Sequence, residues 1–157
     1  MAGSSNFDFL TSHDAQLARL GVLAERYFHD DAPAALIKLR QLAEFISKEV
    51  AARHGLLPSQ TAAFDDVLRT LKVKAVLPRE IADLFYHLKK FGNAAVHENT
   101  GTAAQALTAL KIARAAAIWF HQSYGGAPGF KPGPFVPPAE PVDSSAALTA
   151  EIEKLRA

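Results

Sequence analysis

Apolar residues along this chain recur with the spacing of helices rather than the alternation of strands. Leu17, Leu20, Ala24, Tyr27 and Phe28 repeat at three and four residues and predict a first helix from about Ser12 to Phe28. His29-Asp30-Asp31 breaks that pattern, and Asp31 is placed to cap a second helix with Pro33 in its first turn. The second helix, about 32–54, carries Leu36, Leu39, Ala43, Ile46 and Val50 as one stripe, widened by Leu42 and Phe45, and Gly55 is a natural stop. A shorter third helix holds Phe64, Val67, Leu68 and Leu71. Leu77-Pro78 opens a fourth with Ile81, Leu84, Phe85 and Leu88 on one side, running to about His97. Gly92 sits inside it at a cost of about 1 kcal/mol relative to Ala. After the turn at Asn99-Thr100-Gly101, Thr102 starts a fifth helix with Ala103, Ala106, Leu107, Leu110, Ala113, Ala117, Phe120 and Tyr124 inward.

The two ends read differently. Residues 1–12, with Phe7, Phe9 and Leu10 in a polar setting, form an arm laid over the bundle, and residues 13–124 form the bundle itself. Segment 125–143 holds four Gly and six Pro in 19 residues, which predicts an extended, partly polyproline linker. Beyond it, in 144–157, Leu148, Ile152 and Leu155 have the spacing of an opening heptad. Such a helix is too short to be stable alone, and reads as the truncated start of a coiled coil.

Composition strengthens the helical reading. Ala fills 30 of 157 positions against 14 Val plus Ile, and Ala favours helix where β-branched residues favour strand. The expected fold is an all-α, up-and-down helical bundle with a Pro/Gly-rich extended tail and a short terminal helix. The length suits one core. No cysteine is present, which removes disulfides, thiolate catalysis and Cys-based metal sites. A net charge of +1 argues against a basic nucleic-acid coat, and no apolar run reaches the span of a bilayer. With no signal-peptide layout at the N-terminus, a cytoplasmic protein with no membrane partner is expected.

Candidate chemistry is sparse. None of the six histidines makes a tight ligand spacing, so no metal site is predicted, and no phosphate-cradling Gly loop or nucleophile elbow occurs. Arg40 and Glu44 lie four apart beside the apolar stripe of the second helix, as a plain surface ion pair or a partly buried one that receives a group from another helix. Asn93 and His97 are also four apart, beside Gly92, whose missing side chain permits a close helix crossing. Arg40, Glu44, Asn93 and His97 are therefore expected to meet as a polar cluster between helices two and four. Between Arg69 and Lys90, six cations face only Glu80 and Asp83, a net of +4. Lys72, Lys74, Arg79, Lys89 and Lys90 are the phosphate-contacting candidates, for weak DNA or RNA contact without a groove-reading motif.

Several stretches carry a family resemblance: Ser5-Asn-Phe-Asp-Phe-Leu10, Leu39-Arg-Gln-Leu-Ala-Glu44, Val76-Leu-Pro-Arg-Glu80, Leu88-Lys-Lys-Phe-Gly-Asn-Ala-Ala-Val-His97, Ala117-Ile-Trp-Phe-His121 and Phe130-Lys-Pro-Gly-Pro-Phe-Val-Pro-Pro138. Together they resemble the N-terminal region of type I restriction endonuclease R (HsdR) subunits, and the helical part resembles a domain of unknown function related to the HEPN superfamily. That resemblance implies a HEPN-like bundle acting as a non-catalytic interaction and scaffold domain in ATP-dependent DNA restriction. Its nuclease and translocase would lie outside this chain, together with their ATP and Mg, so no cofactor is expected here. Implied partners are other domains of the R subunit and the methyltransferase core, with weak DNA contact.

The HEPN likeness implies a rival, a standalone metal-independent ribonuclease. The family's Arg, four to six residues, then His is not met, since counting back from His97 reaches Gly92 and Lys90. Only Lys90 and His97 could serve as catalytic candidates, and lysine lacks the planar fork of arginine. A helical homodimerisation module is the third alternative.

Overall fold

The computed structural model describes residues 6–138 and 144–156, with residues 1–5, 139–143 and 157 lying outside the described part. A 3-10 helix at Asp8–Ser12 precedes α1 (Ala15–Tyr27), α2 (Ala32–Arg53), α3 (Phe64–Val73), α4 (Arg79–Glu98), α5 (Ala103–Tyr124) and α6 (Ser144–Arg156). The fold is all-α, and no strand occurs among the described residues. α2 is the hub, packing against α1, α3, α4 and α5.

Local chemistry sets the boundaries. Ser12 belongs to the 3-10 helix, so α1 begins later than its apolar spacing suggests, where the Asp14 carboxylate accepts from the Gln16 N–H at 2.8 Å. Asp31 caps α2 by accepting from Ala34 N–H at 3.1 Å. α2 ends where Gly55 turns left-handed at φ +66, letting Leu56 N–H reach back to Ala51 O at 2.8 Å. α3 ends the same way without a glycine: Ala75 takes φ +56, and Val76 N–H bonds Leu71 O at 2.9 Å. α5 starts on a reciprocal capping box between Thr102 and Gln105.

The core gathers the expected stripes. Leu36, Leu39, Leu42, Ala43, Ile46 and Val50 of α2 are buried, with Phe85 and Leu88 of α4 and Leu110, Ala113, Ala117 and Phe120 of α5. Each buried Leu contributes about 2 kcal/mol by removal of its apolar surface from water. Two positions expected inward face out instead: Tyr27 in the last turn of α1 and Ala103 in the first turn of α5. Both lie at helix ends. In α6, Ile152 and Leu155 are exposed, and the Leu148 side chain is outside the described part.

Candidate interaction surfaces

Helices α2 and α4 cross where α4 has no side chain. A Cβ built on Gly92 would stand 2.3 Å from Arg40 Cβ, so the Arg40 stem occupies the space any other residue at 92 would need. This contact aims the guanidinium across the crossing. Arg40 Nε donates to Asn93 Oδ1 at 2.7 Å, Nη1 donates to Glu44 Oε1 at 3.0 Å, and the guanidinium lies 5.3 Å from the Phe64 ring centroid. Glu44 also receives Lys48 Nζ at 2.9 Å, and Lys48 donates to Gln60 O at 2.8 Å. The crossing thus joins α2, α4 and the segment before α3 through half-buried, mutually satisfied charges. His97 stands apart: it is exposed in the last turn of α4 and makes no hydrogen bond or ion pair with described residues.

The cationic segment is sorted by its neighbours. Arg69 is held by Asp65 at 3.2 Å and Asp66 at 3.3 Å. Lys89 is bound to Asp65 and lies 4.9 Å from the Tyr86 ring centroid. The hydrogen bond and charge of Lys89 hold the Asp65 carboxyl below its ordinary range. Lys72, Lys74, Arg79 and Lys90 are exposed and have no ion pair among the described residues. At about 100° per residue, Arg79, Tyr86, Lys90 and His97 fall on one stripe of α4. Beside it, α3 and α4 enclose a cleft of about 340 Å³ with Leu68, Leu77 and Ala82 among its apolar lining. Lys90 and His97 therefore share an exposed face, with no base or carboxylate bonded to either.

A second surface, along α5 and the N-terminal arm, holds what the sequence leaves unassigned. Residues 130–138 do not swing free; they lie back along α5 as a strap. Gln122 Nε2 donates to Phe130 O at 2.9 Å, and Arg114 Nη2 donates to Gly133 O at 2.6 Å. Asn6, fully buried, both donates to Val136 O at 2.7 Å and accepts from Val136 N–H at 2.9 Å. Phe130 packs between Phe9 and His121, at centroid distances of 5.0 and 4.7 Å, and Lys111 lies 5.8 Å from the Phe135 ring centroid. Below the strap, His13 Nε2 and His121 Nδ1 share one hydrogen bond at 2.8 Å. Burial lowers the His13 pKa, helped by the charges of His121 and Arg53. Burial, reinforced by Asp8, raises Glu25 to about 7, against a hydrogen bond from Asn6.

Signals for this side existed in the sequence. Arg114 lies in an Ala-rich stretch with no acid three or four residues away to answer it, its only charged neighbour there being Lys111. Phe130 and Phe135 are aromatics inside a segment otherwise suited to a solvated linker. Among the described residues no cluster of three or more His, Cys, Asp or Glu could hold a metal, and no helix is long and apolar enough to cross a membrane.

Fold and surfaces together define an all-α helical bundle domain. Residues 23–123 match the family described as Domain of unknown function (DUF4145), and the chain belongs to that family. It is also similar to the type I restriction enzyme EcoKI endonuclease subunit of Escherichia coli (strain K12), with 29% identity over 122 residues. That alignment covers 78% of this chain and 10% of the subunit, so the chain spans about a tenth of that relative. No solved structure matches the chain.

Proposed function

We propose that this chain is an interaction and scaffold domain of a type I restriction endonuclease subunit, part of an ATP-dependent DNA restriction system. The likeness to EcoKI carries this reading, because it runs along most of the chain yet accounts for a small part of a large subunit. Nuclease and translocase chemistry, with ATP and Mg, then belongs to regions outside these residues. The bundle over 13–124 is the docking body.

The exposed cations Lys72, Lys74, Arg79 and Lys90 form the face we assign to contact. They have no carboxylate partner among the described residues, and Lys72 lines the cleft whose floor includes Leu68, Leu77 and Ala82, a combination that favours an acidic protein surface over a DNA duplex. The partners are other domains of the same subunit and the methyltransferase core, with DNA contact weak and secondary.

The complete subunit lacking residues 1–138 tests this role. Restriction of unmodified DNA in cells should fall at least ten-fold, and the truncated subunit should fail to co-elute with the methyltransferase core in gel filtration. Full restriction by the truncated subunit would refute the role.

A further inference from the structure

The strap is held through its backbone at regular intervals. The carbonyls of Phe130, Gly133 and Val136 accept hydrogen bonds from Gln122, Arg114 and Asn6, each three residues beyond the last. Three residues per turn is the repeat of the polyproline helix, which brings every third carbonyl to one side. Pro132, Pro134, Pro137 and Pro138 favour that conformation and, lacking N–H groups, leave the carbonyls as the polar groups to be read. One aromatic, Phe130, is seated between Phe9 and His121. Carbonyl-reading side chains beside an aromatic seat are how polyproline ligands are recognised in general.

Two observations show a built groove rather than chain lying on a surface. With the strap seated Asn6 is fully buried and Arg114 nearly so, and both spend hydrogen bonds on the strap's backbone rather than on water. Arg114 Nε is buried with no hydrogen-bond partner among the described residues, a donor still available to a ligand. The strap is joined to α5 through Gly125 and Gly126. Gly126 has φ +67 and nothing within 4 Å of where a Cβ would stand, so a change of backbone angles at this point, beyond the end of α5, meets no neighbour.

We propose that the groove formed by Asn6, Phe9, Arg114, His121 and Gln122 is a recognition site for proline-rich extended segments bearing an aromatic anchor. Residues 130–138 occupy it in cis, and a partner segment of the same chemistry takes it in trans when the strap lifts. The site is independent of the restriction reading and shares no residue with the cationic face.

The test uses the full chain with F130S and F135S, which releases the strap and leaves the groove intact. The probe is a fluorescent peptide of sequence GFKPGPFVPP, followed by anisotropy. The released variant should bind it at least ten-fold more tightly than the unaltered chain, whose groove is filled. Adding R114A to the released variant should weaken binding at least ten-fold, and a peptide with both Phe replaced by Ser should not bind. Equal binding by the released and unaltered chains, or no effect of R114A, would overturn the proposal. Should the released variant unfold, amide exchange of Val136 in the unaltered chain decides. Its N–H, donated to Asn6, should exchange at least ten-fold more slowly than an unstructured amide, and exchange at the unstructured rate would equally overturn the site.

Discussion

At the α2–α4 crossing, Arg40, Glu44 and Lys48 come from consecutive turns of one helix and meet Asn93 on the next long helix. At the strap face, Asn6 and Val136 are 130 residues apart in the chain. The crossing satisfies its charges mainly side chain to side chain, with Glu44 between Arg40 and Lys48 and the Asn93 amide on Arg40 Nε. The strap face satisfies buried amide and guanidinium groups with backbone carbonyls. A glycine makes each possible: Gly92 admits the Arg40 stem, and Gly21 admits Phe7, whose ring atoms would lie 2.5 Å from a Cβ at 21. The consequences differ because the neighbours differ. Arg40 Cβ is fixed to a central helix, whereas Phe7 precedes a short 3-10 helix at the edge of the chain. The crossing is therefore expected to govern global stability, and the strap face local opening.

The largest expected effect is at the crossing. Gly92→Ala places a Cβ against Arg40 Cβ and should cost about 2 kcal/mol in urea unfolding, overpacking outweighing the helix propensity gained. A stabilised variant would mean the two helices do not touch there. Asn6→Ala should cost about 1–2 kcal/mol through its two lost bonds to Val136. Its signature is that Val136 amide exchange rises more than exchange in α2; a uniform rise would merge the two regions into one cooperative unit.

Glu25 separates the regions by pH. Its folded pKa, about 7, lies above the ordinary value of 4.5, so the folded chain holds the proton more tightly than the unfolded one. That contribution is full below pH 4.5 and is lost as pH rises through 7. Glu25→Gln should gain on the order of 1 kcal/mol at pH 8, allowing for solvent screening of a half-buried group, and little at pH 4. Thermal melts at the two pH values check this, and equal shifts at both would place Glu25 in solvent. The smallest effect is Ala75→Gly, which relieves a left-handed Ala and should add about 0.5 kcal/mol. Loss of stability there would locate the strain elsewhere.

The crossing was half legible and the strap almost not, for physical reasons. Helical spacing put Arg40 with Glu44, and Gly92 announced a close approach. The same spacing also put His97 with Asn93, but the last turn of α4 runs past its neighbours, leaving Val96, His97 and Glu98 exposed together. Periodicity reports which face a residue occupies, not where the neighbouring helix ends. Composition marked 125–143 as extended but could not say whether it is seated. Side chains that bond backbone carbonyls impose no residue identity on the acceptor, so Gly133 and Val136 carry no trace of Arg114 and Asn6. Only an unanswered cation and two aromatics hinted at a docked segment.

The most direct test of the functional account is restriction of unmodified phage by cells carrying the complete subunit with K72E, K74E, R79E and K90E. Steady-state protein and helicity should be unchanged, and restriction should fall at least ten-fold, while H97A restricts normally. Normal restriction by the charge-reversed subunit would contradict the assignment of this face to contact, and loss of restriction by H97A alone would return His97 to the chemistry.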